Sequence, residues 1–238
     1  MPSATSFLAQ DADGQRFDRG LHGERGRAIG IDPDLGVAVL ACCSDAESAA
    51  ARVAVEILID DMQANLLPFT HSEVVEEAPG LTCLRESLDN IAAYLRGEGG
   101  DTVSLAALQI DEQGRANLAL AGEVVALARQ QPVLRLDAGS SAPLGAADPA
   151  EPLLIELAVE GLDCLLLLPL ADEAGIGSDY VQVSLGRFCD APDMLLRQLD
   201  IRAQRQGLEH APMLVHARLL EKNPPLRRRG LIGRFLRR

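Results

Sequence analysis

Thiols, imidazoles and carboxylates are the groups in this sequence that could do chemistry, and their spacing argues against most of it. The five cysteines are Cys42, Cys43, Cys83, Cys164 and Cys189. None are spaced as CxxC and no histidine stands at ligand distance from them, so zinc has no site. The adjacent Cys42 and Cys43 would be reactive only beside a positive charge that lowers a thiol pKa. Most of the cysteines lie in or next to apolar runs and read as buried free thiols in a reducing compartment. The histidines, His22, His71, His210 and His216, are scattered along the chain. His216 alternates within a strand-like run and is expected to point outward. No GxSxG offers a nucleophile for any imidazole to activate. No GxxxxGK[ST] or GxGxxG offers a phosphate cradle. Asp60 and Asp61 read as a solvated acidic pair near a helix end.

The elements that would position these groups follow from composition and periodicity. A chain of 238 residues with 47% hydrophobic and 24% charged residues holds one full-sized domain or two small ones. Residues 1–16 are polar and read as a loose lead-in. Residues 28–41 read as two strands joined by a turn at Asp32, Pro33, Asp34 and Gly36. Ser44 with Glu47 three positions on reads as a capping box, opening a helix over 45–66. A second helix is predicted over 81–96, with Leu84, Leu88, Ile91, Ala92 and Leu95 on one face. From residue 102 the period changes to two. Strands are predicted at 103–110, 116–121, 124–129, 133–137, 153–159 and 164–168, with loops at 67–80 and 138–152. An amphipathic helix at 192–206 stops at Gly207, and a strand at 213–220 follows. Strand runs with paired helices predict an α+β fold, antiparallel sheets covered by helices.

Five segments in this order resemble the metal-dependent serine/threonine phosphatases of the PPM (2C) class, in their bacterial form. They are DPDLGVAVLACCSDAESAAARVAVEIL (32–58), LRESLDNIAAYLRGEGGDTVSLAALQI (84–110), ANLALAGEVVALAR (116–129), LDCLLLLPLAD (162–172) and GLEHAPMLVHARL (207–219). The resemblance covers roughly residues 17–220 and implies an α-β-β-α sandwich of two antiparallel sheets flanked by helices. In that family, aspartates hold two Mn²⁺ or Mg²⁺ ions that activate a water against a phosphoester. Such hard cations need oxygen ligands. Here the N-E-D motif falls on Arg25, Gly26 and Arg27. The Asp and Gly of ADG fall on Cys42 and Cys43, and the glycines before the helix on Asp45 and Ala46. The Asp of GDS falls on Glu123. SDG falls on Pro169, Leu170 and Ala171, and DN on His210 and Ala211. The former site positions are therefore Cys42, Cys43, Leu170 and His210. The resemblance implies a catalytically inactive pseudophosphatase, a regulatory or scaffold protein with no catalytic, cofactor-binding or metal-binding residues. One alternative is a divergent phosphatase that uses displaced acids such as Asp45 and Asp172; Asp163 and Glu209 also lie near the motifs. Another is an assembly protein whose tail docks a protein partner. Arg19, Arg25 and Arg27 read as solvated surface arginines.

Charge is distributed unevenly. Residues 223–238 hold six arginines and no acid, so of the net −13 the remainder carries −19. An acidic body and only 3% aromatic residues argue against a nucleic-acid binder. As a helix, the tail would place Leu231, Ile232, Phe235 and Leu236 on one face and Arg234, Arg237 and Arg238 on the other, with Arg227, Arg228 and Arg229 just before. This is the pattern of an interfacial anchor. It predicts a weak hold on an anionic membrane surface or docking to a protein partner. No run of ~18 apolar residues and no signal-like start predicts a cytoplasmic protein, peripheral at the inner membrane if the tail binds lipid. The expected organisation is a lead-in over 1–16, a PPM-like domain over 17–222 and a basic tail over 223–238.

Overall fold

Strands buried on both faces read as near-continuous apolar runs, and VSLAALQI (103–110), interrupted by Ser104 and Gln109, has all eight residues buried. Its alternate side chains serve two cores. Ala106, Leu108 and Ile110 face a second sheet, while Leu105 and Ala107 face helices. The computed structural model describes residues 5–23, 25–69, 79–98, 101–111, 115–129, 132–148, 151–157 and 163–219. The expectations for the tail over 223–238 lie outside the described residues.

Two six-stranded sheets stack face to face. The first runs β2 (Arg16–Phe17), β1 (Thr5–Gln10), β12 (Leu214–Leu219), β11 (Cys164–Pro169), β8 (Val124–Ala128), β9 (Leu134–Asp137). The second runs β10 (Leu153–Leu157), β7 (Ala116–Ala121), β6 (Val103–Ile110), β5 (Val37–Cys43), β4 (Arg27–Asp32), β3 (Gly20–His22). Every pairing is antiparallel. Helices α1 (Ala50–Phe69) and α2 (Pro79–Glu98) cover the second sheet through Leu58, Met62, Leu88 and Ile91. Helices α3 (Leu170–Ile176), α4 (Ser178–Phe188) and α5 (Pro192–Gln206) cover the first through Val181, Leu185, Leu195 and Leu199. Ile29, Leu40, Leu118, Leu165 and Val215 fill the space between the sheets. The result is the α-β-β-α sandwich that the resemblance implies. Among the described residues, no helix is long and apolar enough to cross a membrane.

Four expectations change. Residues 1–16 are not a loose lead-in: Thr5–Gln10 forms β1, between β12 and β2, and buries Phe7 and Ala9 in the inter-sheet core. The first long helix starts at Ala50 rather than 45. Ser48, not Ser44, supports its entry, its Oγ accepting the Ala50 N–H at 3.0 Å just before the cap position Ala49, whose carbonyl accepts the Val53 N–H. Asp45 closes the preceding turn by accepting the Glu47 N–H at 2.9 Å. Residues 170–188 hold two short helices that the periodicity did not predict, separated at Gly177, whose φ of 102° suits glycine. His216 points inward and is fully buried.

Helix α1 approaches the sheet closely at Gly30. A Cβ there would stand 2.5 Å from both Val55 Cγ1 and Ile59 Cδ1, so α1 rests directly on the β4 backbone.

Candidate functional site

At one end of the sandwich, β4 begins at Arg27, β5 ends at Cys42 and Cys43, β11 turns into α3, and β12 begins after Met213. Strand parity decides what faces inward there. Ile29 and Ile31 enter the inter-sheet core, so Arg27 in the same β4 series points the same way. Its partner across the ladder is Cys42, which packs against that core in turn. Cys43, one step on, faces the helix side instead.

The backbone at Arg27 is held tightly. The Gly26 N–H donates to the Ser48 carbonyl at 2.7 Å, and the Cys43 N–H donates to the Gly26 carbonyl at 2.7 Å. Gly26 has φ of 64°, and a Cβ there would meet the Ala46 backbone at 2.7 Å, so the position suits glycine on both counts.

Opposite Arg27, the first turn of α3 presents Asp172, 1% exposed. Arg27 Nη1 donates to Asp172 Oδ2 at 2.9 Å and to Oδ1 at 3.1 Å. The Met213 N–H donates to Oδ2 at 2.9 Å. His210 Nε2 stands 3.9 Å from Oδ1. Glu173, next on the helix and also buried, receives Arg135 of β9 at 2.8–3.2 Å. Both carboxylates sit at a helix N-terminus, where the peptide dipoles favour negative charge.

The neighbouring thiols are quiet. Burial pushes the Cys42 pKa up to about 12; the Arg27 charge pulls it down, and Asp172 adds to the rise. It is a neutral thiol at neutral pH, a weak nucleophile and a poor ligand. Burial raises the Cys43 pKa too, opposed by a hydrogen bond with Ser48. Ser48 Oγ also donates to Asp101 Oδ2 at 2.6 Å. The two sheets are tied again at Glu123. Its N–H donates to Ser104 Oγ at 2.9 Å, and its carbonyl accepts the Leu170 N–H at 3.0 Å.

Of the residues that the sequence singled out, the structure brings Cys42 and His210 to this site. Leu170 sits on its rim with the side chain 37% exposed, while Asp172, two positions later, points in. The displaced acids do not gather. Asp45 is exposed and caps its own turn. Asp163 lies at the far end of β11, where it pairs with Arg129 and its carbonyl accepts the Leu219 N–H. The residue that sequence reasoning missed is Arg27, read as solvated and found in an ion pair with a buried acid. The signal was available: Arg27, Ile29 and Ile31 alternate on one face of a strand.

No protein-family model matches the chain, and no curated protein matches it in sequence. Solved structures do. PppA, described as a key regulatory component of T6SS in Pseudomonas aeruginosa, matches with a TM-score of 0.67 at 14% identity, covering 92% of this chain and 99% of that one. Serine/threonine phosphatase Stp1 from Staphylococcus aureus matches with a TM-score of 0.64 at 13% identity, covering 93% and 96%. The catalytic domain of serine/threonine protein phosphatase PstP, in complex with two manganese ions, matches with a TM-score of 0.61 at 16% identity, covering 92% and 100%. The chain has the PPM phosphatase fold. At these identities the likeness is one of fold.

A PPM fold raises the question of a metal pair, and the residues present do not fit one. The cleft offers a guanidinium, a neutral thiol, an exposed leucine and an imidazole around Asp172, which already accepts three hydrogen bonds, and the adjacent buried Glu173 is taken up by Arg135. Among the described residues, no group of three or more His, Cys, Asp or Glu is placed to hold a metal ion. Hard dications take several oxygens, commonly from more than one carboxylate.

Proposed function

We propose that this protein is a non-catalytic PPM-fold subunit, a pseudophosphatase that acts by binding. The observation that carries the reading is the pairing of Arg27 with Asp172 beside the neutral thiol of Cys42. Metal-assisted phosphoester hydrolysis needs a cation pair to generate the nucleophile and to stabilise the leaving oxygen. A tethered guanidinium lowers the pKa of no bound water, and a thiol at about 12 does not take the place of a ligand carboxylate. PppA, a regulatory component in its own system, supports a regulatory role for a chain with this fold. The rest of the proposal is that the tail, Arg227 to Arg238, supplies the docking element, toward an anionic membrane surface or a protein partner.

The test is calorimetric titration of the full-length protein with Mn²⁺ and with Mg²⁺, with p-nitrophenyl phosphate hydrolysis followed in the same samples. The expected result is no binding in the micromolar range and no turnover. Micromolar binding at two sites together with turnover overturns the proposal.

A further inference from the structure

We infer that Asp172 forms a guanidinium site filled in cis by Arg27, a permanent cation in the cleft that joins the two sheets. The inference rests on the non-catalytic reading of the cleft, but its test reads stability rather than turnover.

Three observations carry it. The first is that the pair crosses the layers. Arg27 begins β4 of the second sheet, whereas Asp172 belongs to α3, which packs on the first sheet, and it also accepts the N–H of Met213 at the start of β12. The inter-sheet core is otherwise built from side chains such as Ile29, Leu40, Leu118 and Val215. Apolar contact is non-directional and leaves the spacing of two sheet ends loosely specified. An ion pair in which Arg27 Nη1 reaches both carboxylate oxygens fixes it.

The second is burial. Asp172 is 1% exposed and Arg27 about a quarter exposed. A carboxylate so buried is tolerated only when paired and hydrogen-bonded. Both its oxygens contact Arg27 Nη1, with the Met213 N–H on Oδ2. His210 at 3.9 Å is too distant for a hydrogen bond and leaves the pairing to Arg27.

The third is preorganisation. Gly26 locks the chain just before Arg27, with the 44–48 loop against its missing Cβ and hydrogen bonds to Ser48 and Cys43. The guanidinium is thereby aimed before it pairs. Unlike a bound metal, it is neither chelated nor diluted away.

The ligand class is therefore a planar organic cation, not a divalent metal. The test is thermal unfolding of the full-length protein by circular dichroism in EDTA, comparing wild type, Arg27→Ala, Arg27→Lys, Asp172→Asn and the double variant Arg27→Met/Asp172→Leu. Wild type is expected to be indifferent to EDTA, Mn²⁺ and millimolar guanidinium. Arg27→Ala and Asp172→Asn should each lower Tm by about 5 °C or more, because each leaves a buried polar group without its partner. Arg27→Lys should fall between, since it keeps the charge but places it on a compact, more strongly hydrated head with a different reach. Millimolar guanidinium should raise the Tm of Arg27→Ala and leave the double variant unmoved, with Mn²⁺ raising neither. If Arg27→Ala does not fold, the double variant decides: recovery to within a few degrees of wild type supports the inference. A Tm for Arg27→Ala within a degree of wild type overturns it, as does rescue by Mn²⁺ in place of guanidinium, or a double variant as unstable as the worse single one. The two failures are separable. An inert Arg27→Ala sinks the clasp and leaves the non-catalytic reading standing, whereas metal-dependent turnover in wild type sinks that reading whatever the variants do.

Discussion

Neither ring nitrogen of His216 has a partner in hydrogen-bonding geometry, although the Cys189 backbone lies near. The residue is fully buried between the first sheet and its helices, on the same face of β12 as Leu214. Burial pulls its pKa down from 6.5 to about 4, with Arg218 adding to the fall and Asp190 opposing it. The unfolded chain therefore binds a proton near pH 6.5 that the folded chain refuses until about pH 4. Stability from this group is intact above pH 6.5 and is lost as pH falls toward 4, by about 3 kcal/mol in all. His216→Leu should remove that slope. In urea titrations across pH, the stability difference between variant and wild type should stay constant above pH 7 and widen in the variant's favour down to pH 4. At neutral pH the variant should be no less stable, because an orphaned imidazole is exchanged for a side chain of similar bulk. Parallel slopes for the two proteins would contradict the assignment. The same residue marks a limit of sequence reading. Alternation in MLVHARLL gives His216 a fixed face, but not which face is solvated, and here neither is. Arg27 shows the converse: its parity was readable, but the acid that receives it lies 145 positions away.

Among the elements, the join of α1 and β4 is an exacting one. Gly30 leaves no room for a side chain under Val55 and Ile59. Gly30→Val should push the helix outward and cost about 1–3 kcal/mol of overpacking, read as a lower Tm with the far-ultraviolet spectrum retained. An unchanged Tm would mean that α1 has slack the contact distances do not show. Most elements were legible because their periods are clean: β4, β5, α2, β6, β7, β8, α5 and β12 fall within a few residues of their predicted spans. The exceptions share a cause. In β1 Phe7 and Ala9 face the inter-sheet core and Leu8 packs on the helix side, a three-residue apolar run too short to stand out from a polar lead-in. Helix α3 has seven residues, two of them buried acids that read as surface. Ser44 and Glu47 have a capping box's spacing, but the chain turns once more before the helix, and Glu47 pairs with Arg25 instead. For the site, substitution of the family's acids could be seen at Cys42 and His210, whereas the inward acid at 172 rather than 170 depended on where the helix after β11 begins.

For the whole molecule, the −19 carried outside the arginine-rich tail shapes what the tail can do. A cationic segment is drawn both to the net-anionic remainder of its own chain and to anionic lipid, the latter at about 1 kcal/mol per arginine near the surface. On the membrane proposal, full-length protein should float with anionic vesicles at low salt, and protein ending at residue 222 should not. Equal flotation would leave a protein partner as the docking target. High salt should abolish the effect, since the apolar face of so short a segment contributes little by itself.

The first strand of the fold lies beside the last, Thr5 opposite Leu219. On the ribosome, β1 emerges before the rest of this fold, yet its long-range partner β12 arrives only when almost the entire domain has been made. The second sheet draws on residues 20–157 and, with α1 and α2, can assemble well before that. Synthesis therefore passes through a half-domain whose inner face, carrying Ile29, Leu40, Leu108 and Leu118, is bare while β11 and β12 are still being translated. That interval is when the nascent chain is most exposed to aggregation and most in need of a chaperone.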